Sequence, residues 1–184
     1  MSERRTIRAA VLTVSDRCSR GRAKDESGPA LEVVLREKLG ADVVARACVP
    51  DEPEEIVAVV TRWCRGNPGI DLVLSTGGTG LSPRDRTPEA VKGVLERDAP
   101  GLMELARARC LAITARAFLS RGVAGTIGKT LVITLPGSVR GATEQLAAIL
   151  DILPHAVETV RGDVQDDGRA GVTATTGRVV EHED

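Results

Sequence analysis

The sequence predicts an α/β fold: a mostly parallel sheet covered by helices on both faces, with an antiparallel hairpin at one edge. Three observations predict it. Short apolar runs alternate with segments of helical period along the chain. The runs are near-continuous instead of alternating, the pattern of strands buried on both faces. Finally, AFLSRGVAGTIGKTLVITLPG, residues 117–137, sets glycines between apolar runs and reads as an edge hairpin leading into a last buried strand.

The elements follow in order. IRAAVLTVS, 7–15, is a near-continuous apolar strand. SGPALEVVLREKLG, 27–40, is a helix with Pro29 in its first turn and Gly40 as its stop. ADVVARACVP, 41–50, is the next strand, and EPEEIVAVVTRWCRG, 52–66, a helix. Its Ile56, Val59, Val60 and Trp63 fall on one face. DLVLST, 71–76, is a short buried strand. TPEAVKGVLERDA, 87–99, is a helix that Thr87 caps and Pro88 opens, and GLMELARARCLA is a further helix. A long closing helix from about Arg140 to Val160 carries Leu146, Ile149, Leu153 and Val157 on one stripe, with His155 inside it as a structural residue. These elements form one domain, 1–163. The segment 164–184 has no apolar period and is expected to be a flexible tail.

Bulk properties narrow the function classes. A chain of 184 residues, 42% hydrophobic and 28% charged, suits one soluble globular domain. A net charge of −1, with Phe118 and Trp63 the only aromatics, argues against nucleic-acid binding. Cys18, Cys48, Cys64 and Cys110 form no CxxC pair and lie far from His155 and His182, which argues against zinc. No apolar run reaches signal-peptide or membrane-span length, so a cytoplasmic protein without membrane association is expected.

Parallel sheets bind ligands at the carboxyl ends of their strands. Those ends are Ser15-Asp16, Pro50-Asp51, Thr76-Gly77-Gly78-Thr79-Gly80 and Pro136-Gly137-Ser138. TGGTG can be a tight turn, or a cradle whose N–H groups face a phosphate. It is neither a Walker A loop nor GxGxxG. In the following SPRDRTPEA, Asp85 can be an acid favouring a helix start, or a ligand for Mg²⁺ that also binds substrate phosphates. Arg84 and Arg86 can offset phosphate charge. Asp51 reads as a helix cap or a ligand, Asp16 as a turn residue or a ligand. Ser120 and Arg121 sit in what can be a plain polar turn. No Ser-His-Asp or Cys-His set is present; Cys110 reads as a packed thiol.

TGGTGLSPRDRTPEA (76–90), with LSR at 119–121 and LPG at 135–137, resembles the molybdopterin adenylyltransferase family, whose domain also occurs as the G domain of gephyrin and of its plant counterpart. The likeness runs from about Val11 to Asp163 and takes in LTVSD (12–16), SGP (27–29), VPDE (49–52) and APGL (99–102). It implies a three-layer α/β/α fold and a homotrimer. It implies transfer of AMP from Mg-ATP to the terminal phosphate of molybdopterin, giving adenylyl-molybdopterin and pyrophosphate. The product would pass to a molybdenum-insertase protein.

By the same resemblance Asp51 and Asp85 are the essential acids, holding Mg²⁺. Gly77, Gly78, Thr79 and Gly80 form the nucleotide-phosphate loop, and Ser120 lies near the pterin. Ser15, Asp16, Ser27 and Gly28 match substrate-side loops. Ser75, Arg84, Arg121, Pro136, Gly137 and Ser138 complete the expected binding set. The nucleophile would be a phosphate monoester, largely dianionic at neutral pH because its second pKa is about 6, so no protein base is required.

Two positions depart from the pattern. Cys110 stands where plant-type members carry serine, and Ser138-Val139 stands where Asn-Pro or Gln-Pro is frequent. The second is nearer a sister group for which a non-catalytic, molybdopterin-binding role is the alternative. The Pro83-Arg84-Asp85 turn, which that group tends to lack, keeps the transferase reading in front.

Overall fold

Six strands appear among the described residues of the computed structural model, which are 5–66 and 69–163. The strands are β1 (Arg8–Val14), β2 (Asp42–Val49), β3 (Leu72–Thr76), β4 (Arg97–Asp98), β5 (Ala124–Ile127) and β6 (Thr130–Leu135). They form one sheet in the order β2-β1-β3-β6-β5-β4. The first four run parallel. β5 is antiparallel to β6, and β4 to β5. The expected α/β fold, mostly parallel with an antiparallel edge, is present.

The helices are α1 (Asp16–Ser19), α2 (Ser27–Leu39), α3 (Pro53–Arg65), α4 (Thr87–Lys92), α5 (Pro100–Cys110), α6 (Val139–Ala147) and α7 (Leu153–Arg161). Successive strand residues face opposite sides of the sheet, so two cores form. Ala9, Val11, Leu72, Leu74, Leu131 and Ile133 pack under Leu31 and Leu35 of α2, Met103 of α5, Leu146 of α6 and Val157 of α7. Ala10, Leu12, Val73 and Val132 pack under Ile56, Val60 and Trp63 of α3 and Val91 of α4. Every residue of β3 and β6 is buried, which explains their unbroken apolar runs. β2 lies at the sheet edge and exposes alternate residues.

Four expectations need correction. The helix expected over 87–99 ends at Lys92, because Arg97–Asp98 joins the sheet as β4. Glu96 N donates to Thr126 O and Ala99 N to Ala124 O, both at 2.8 Å. Gly125 permits this approach, since a Cβ there would meet Arg97 O at 2.4 Å. Thr87 is the first residue of α4 and not its cap; its hydroxyl is buried without a partner. The closing helix is two helices, α6 and α7. Pro154 lacks an N–H and its ring clashes with the carbonyl four residues back, so it fits only the first turn of a new helix. The hairpin is confined to β5 and β6, turning at Gly128 (φ 56°), while Ala115–Leu119 forms a 3-10 turn before it. The expected tail, 164–184, lies outside the described residues.

One buried ion pair ties the end opposite the strand carboxyl ends. Arg161 Nε donates to Asp71 Oδ1 at 2.7 Å, and its NH2 group donates to Asp71 Oδ2. Arg161 also reaches Arg5 O (3.3 Å) and Thr6 O (3.2 Å), docking α7 on the segment that enters β1. The two side chains are 4% and 5% exposed. Burial alone pushes the Asp71 carboxyl up, but Arg161, the Arg8 amide and Arg5 outweigh it and hold it below its ordinary range.

Removing one partner strands a buried charge, so Arg161→Leu is expected to cost about 3–5 kcal/mol in denaturant unfolding. Because the folded pKa is depressed, the pair's contribution is fully present above the unfolded value of about 3.9 and is lost as pH falls below it. Wild-type stability should therefore drop more steeply than that of Asp71→Asn in acid titrations of the unfolding midpoint.

Candidate functional site

The parallel order brings the ends of β1, β2, β3 and β6 to one edge. Hydrogen bonds join them in pairs. Ser15 N donates to Val49 O at 2.9 Å, and Gly77 N to Leu135 O at 3.1 Å. Thr76 Oγ1 donates to Pro136 O at 2.7 Å. Asp16 and Asp51 hold each other reciprocally: Asp16 N donates to Asp51 Oδ2 at 2.8 Å, and Asp51 N to Asp16 Oδ1 at 3.4 Å.

The glycines of TGGTG are there for close approach. Gly77 has φ 108°, and a Cβ on it would meet Val14 O at 2.0 Å. Gly78 has φ 61°, and its Cβ would lie 2.3 Å from Thr87 Oγ1 and 3.1 Å from Asp51 Oδ1. A Cβ at Gly80 would lie 2.9 Å from Asp85 Oδ2. The two acids expected from the sequence thus border the same loop, Asp51 beside Gly78 and Asp85 beside Gly80. Asp85 is oriented by the Ser82 amide, which donates to its Oδ2 at 2.9 Å.

Two cavities flank this loop. One, of 530 Å³, is lined by Thr13, Ser15, Lys24, Asp25, Ser27, Asp51, Gly77, Gly78 and Asp85. The other, also 530 Å³, is lined by Thr79, Gly80, Ser120, Pro136, Cys110, Ile113, Arg116 and Glu144, among others. Gly137 and Ser138 line both. Either volume suits a small-molecule ligand. Ser120 Oγ lies 3.2 Å from Thr79 Oγ1.

Several expected residues serve in other ways. Arg84 donates to Asp16 Oδ2 (2.8 Å) and Glu52 Oε1 (2.9 Å), bridging the β1 and β2 ends at the rim. Arg121 lies behind the loop: its main-chain N reaches Thr79 O and its Nε reaches Gly80 O, both at 2.8 Å. It also contacts Asp85 O and Glu89. Ser75 is fully buried inside β3, its hydroxyl unpartnered, and lines neither cavity. Gly28 lies under the first cavity, where a Cβ would meet Asp25 Oδ2 and Thr13 Oγ1, each at 2.6 Å. Ser138 caps α6, its Oγ accepting from Gly141 N at 3.1 Å.

The sequence reading missed Thr13, Lys24 and Asp25. Asp25 accepts from Thr13 Oγ1 (2.8 Å) and Gly28 N (3.0 Å), shaping the start of α2. An acid three residues before a glycine at a helix start was the available signal. Arg140, Glu144 and Gln145 in the second cavity were also missed as lining residues, because they reach that space only through the placement of α6, while Cys110, noted as a departure from the family pattern, lines it from the end of α5.

Charge is crowded at the acids. Burial pushes the Asp51 carboxyl above its ordinary range; Asp16 and Asp85 push the same way, against the Asp16 amide and Arg84. Asp16 goes the other way: its hydrogen bond from Arg84 holds it low. Among the described residues no three Asp, Glu, His or Cys side chains converge to ligate a metal. Asp51 and Asp85, set against neighbouring glycines of one loop, fit a hard cation that takes its remaining oxygens from a substrate.

Residues 10–155 match the family described as "Probable molybdopterin binding domain". The molybdopterin adenylyltransferase of Helicobacter pylori (strain J99) is 37% identical over 170 residues, covering 92% of this chain and 96% of that protein. Gephyrin of Dictyostelium discoideum is 41% identical over 157 residues, covering 80% of this chain and 21% of gephyrin. The molybdopterin biosynthesis enzyme MoaB of Thermus thermophilus superimposes with a TM-score of 0.80 at 48% identity, covering 85% of this chain and 98% of that one. The chain spans between 21% and 49% of the length of the gephyrin-like and bifunctional relatives that it matches. No helix of the described residues is long and apolar enough to cross a membrane. The chain belongs to the molybdopterin-binding domain family.

Proposed function

We propose that the protein transfers AMP from ATP to the terminal phosphate of molybdopterin, a step of molybdenum cofactor biosynthesis. The observation that carries this reading is the position of Asp51 and Asp85 against Gly78 and Gly80, on a loop that separates two cavities sharing Gly137 and Ser138. The Asp51 cavity would take ATP. The Ser120 cavity would take the pterin, with its phosphate at the loop.

A terminal phosphate oxygen of molybdopterin attacks the α-phosphorus of ATP. The bond from that phosphorus to the bridging oxygen breaks, and pyrophosphate leaves with the electron pair. The attacking oxygen is already deprotonated, so the site needs no proton acceptor. Its task is position and charge compensation. The Gly77 N–H is taken up by Leu135 O, so the N–H groups further along the loop would face the phosphates, and the Thr79–Ser120 hydroxyl pair would add a donor. Arg84 holds Asp16, and through it the Asp51 loop, at the rim. Asp51 and Asp85 would hold Mg²⁺, which would offset the phosphate charge.

The reading extends to a cytoplasmic enzyme acting as a homotrimer and delivering its product to a molybdenum-insertase protein. Leu81 (69% exposed), Phe118 and Leu119 (each 55%) offer apolar surface for self-association. Support for the insertase comes from the gephyrin-like relatives, of which this chain matches only a part.

A second reading, a non-catalytic molybdopterin binder, has Ser138 in its favour, because that hydroxyl is occupied in capping α6. Asp51→Asn and Asp85→Asn separate the two. Each should keep its circular dichroism and melting behaviour, yet abolish molybdopterin-dependent pyrophosphate release. Variants that unfold would mark the acids as structural. The pH profile is a further check. A raised Asp51 pKa leaves that group protonated, and unable to hold a cation, where an ordinary aspartate is ionised. Mg²⁺ binding to the protein without substrate, whose phosphates titrate near 6 themselves, should therefore be lost in acid with an apparent pKa above the reference value of about 3.9.

A further inference from the structure

The cavity on the Ser120 side extends from the glycine loop along α6. There α6 contributes Arg140, Glu144 and Gln145. Glu144 is the one carboxylate among the described lining residues. Its side chain is 22% exposed, and Arg140 is its only ion-pair partner among the described residues, Nε donating to Oε1 at 2.7 Å. Gln145 beside it is 2% exposed. Its Oε1 is buried without a partner, while its Nε2 reaches Ala117 O at 3.4 Å. An unpaired buried acceptor is costly and marks a place where a donor is due. The α6 wall of the cavity therefore presents two acceptors, the Glu144 carboxylate and Gln145 Oε1, beside the Arg140 guanidinium, whereas Thr79 and Ser120 at the loop supply hydroxyl donors.

That polarity orients a ligand. α6 starts beside Ser138 at the loop, and Glu144 lies six residues further, about 9 Å along the helix axis. A ligand with its phosphate on the loop therefore extends its heterocycle toward Glu144. A pterin carries a 2-amino group and an N3–H side by side, and a carboxylate can accept both together. We propose that Glu144 is the specificity residue that reads this 2-amino-4-oxopyrimidine edge of the pterin. The proposal rests on the reading that this cavity holds molybdopterin; it does not require that AMP be transferred.

Guanine presents the same edge, so the test separates the two sources. Binding of 6-hydroxymethylpterin, of the corresponding lumazine (2-oxo in place of 2-amino) and of GMP is measured by titration calorimetry. The wild type should prefer the pterin over the lumazine by about tenfold or more, the effect of one charge-assisted hydrogen bond. Glu144→Gln should bring the pterin down to the lumazine level. Arg140→Ala, which removes the ion-pair partner and leaves the Glu144 carboxylate in place, should keep the preference. Equal binding of pterin and lumazine to the wild type overturns the proposal, as does an unchanged preference in Glu144→Gln. Tighter binding of GMP than of the pterin, lost in Glu144→Gln, reassigns the edge to guanine and overturns it too. The wild-type comparison needs no variant, and Glu144→Ala, which also removes the carboxylate, replaces a Gln variant that does not fold. A Glu144-dependent pterin preference without AMP transfer would leave this inference standing and remove the transferase reading.

Discussion

The site depends on how closely three parallel strands end. Gly77 is held by Leu135 O on one side and lies against Val14 O on the other, with no room for a Cβ. Gly137 approaches the same point, since its Cβ would lie 3.1 Å from the Gly77 Cα. The ends of β1, β3 and β6 therefore meet within van der Waals contact. That convergence turns the loop after β3 upward between two cavities. A larger residue would spread the strands, separate the loop from Asp51 and open the wall between the cavities.

From this constraint the placement of the acids follows. Asp51 comes from the β2 end and is fixed by the Asp16 amide; Asp85 comes from the turn after β3 and is fixed by the Ser82 amide. Neither belongs to the glycine loop, yet each touches one of its glycines. Arginines hold the frame. Arg84 spans from the Asp85 turn to Asp16 and Glu52, and Arg121 binds the loop from behind. These exposed ion pairs are individually weak, so their contribution is geometric: they limit how far the turn carrying Asp85 can move from the Asp51 loop.

Much of this was legible in the chain. Buried parallel strands announce themselves as unbroken apolar runs, so β1, β3 and β6 could be read directly. The strand-end rule then gathered Asp51, Gly77, Gly78 and Ser138 without any structural knowledge. Two-residue β4 could not be read, because Arg97 and Asp98 are polar and their pairing with β5 depends on the missing Cβ of Gly125. The division of the last helix had a signal in Pro154 that the apolar stripe masked. Ser75 lies buried within β3, and position along a strand does not say whether a hydroxyl emerges at the strand end or remains within the sheet. Arg84 and Arg121 were expected to face phosphate; the acids and carbonyls that engage them are distant in sequence. Glu144 was missed because its relevance exists only once α6 closes over the cavity.

The central claim is that this strand-end edge carries out phosphate chemistry and does not merely hold a pterin. The most direct measurement follows label from ATP carrying it in the α-phosphate, incubated with the protein, molybdopterin and Mg²⁺. The account predicts that label enters the pterin fraction in step with released pyrophosphate. Pterin binding without any label transfer would contradict it and leave the glycine loop as a binding cradle alone.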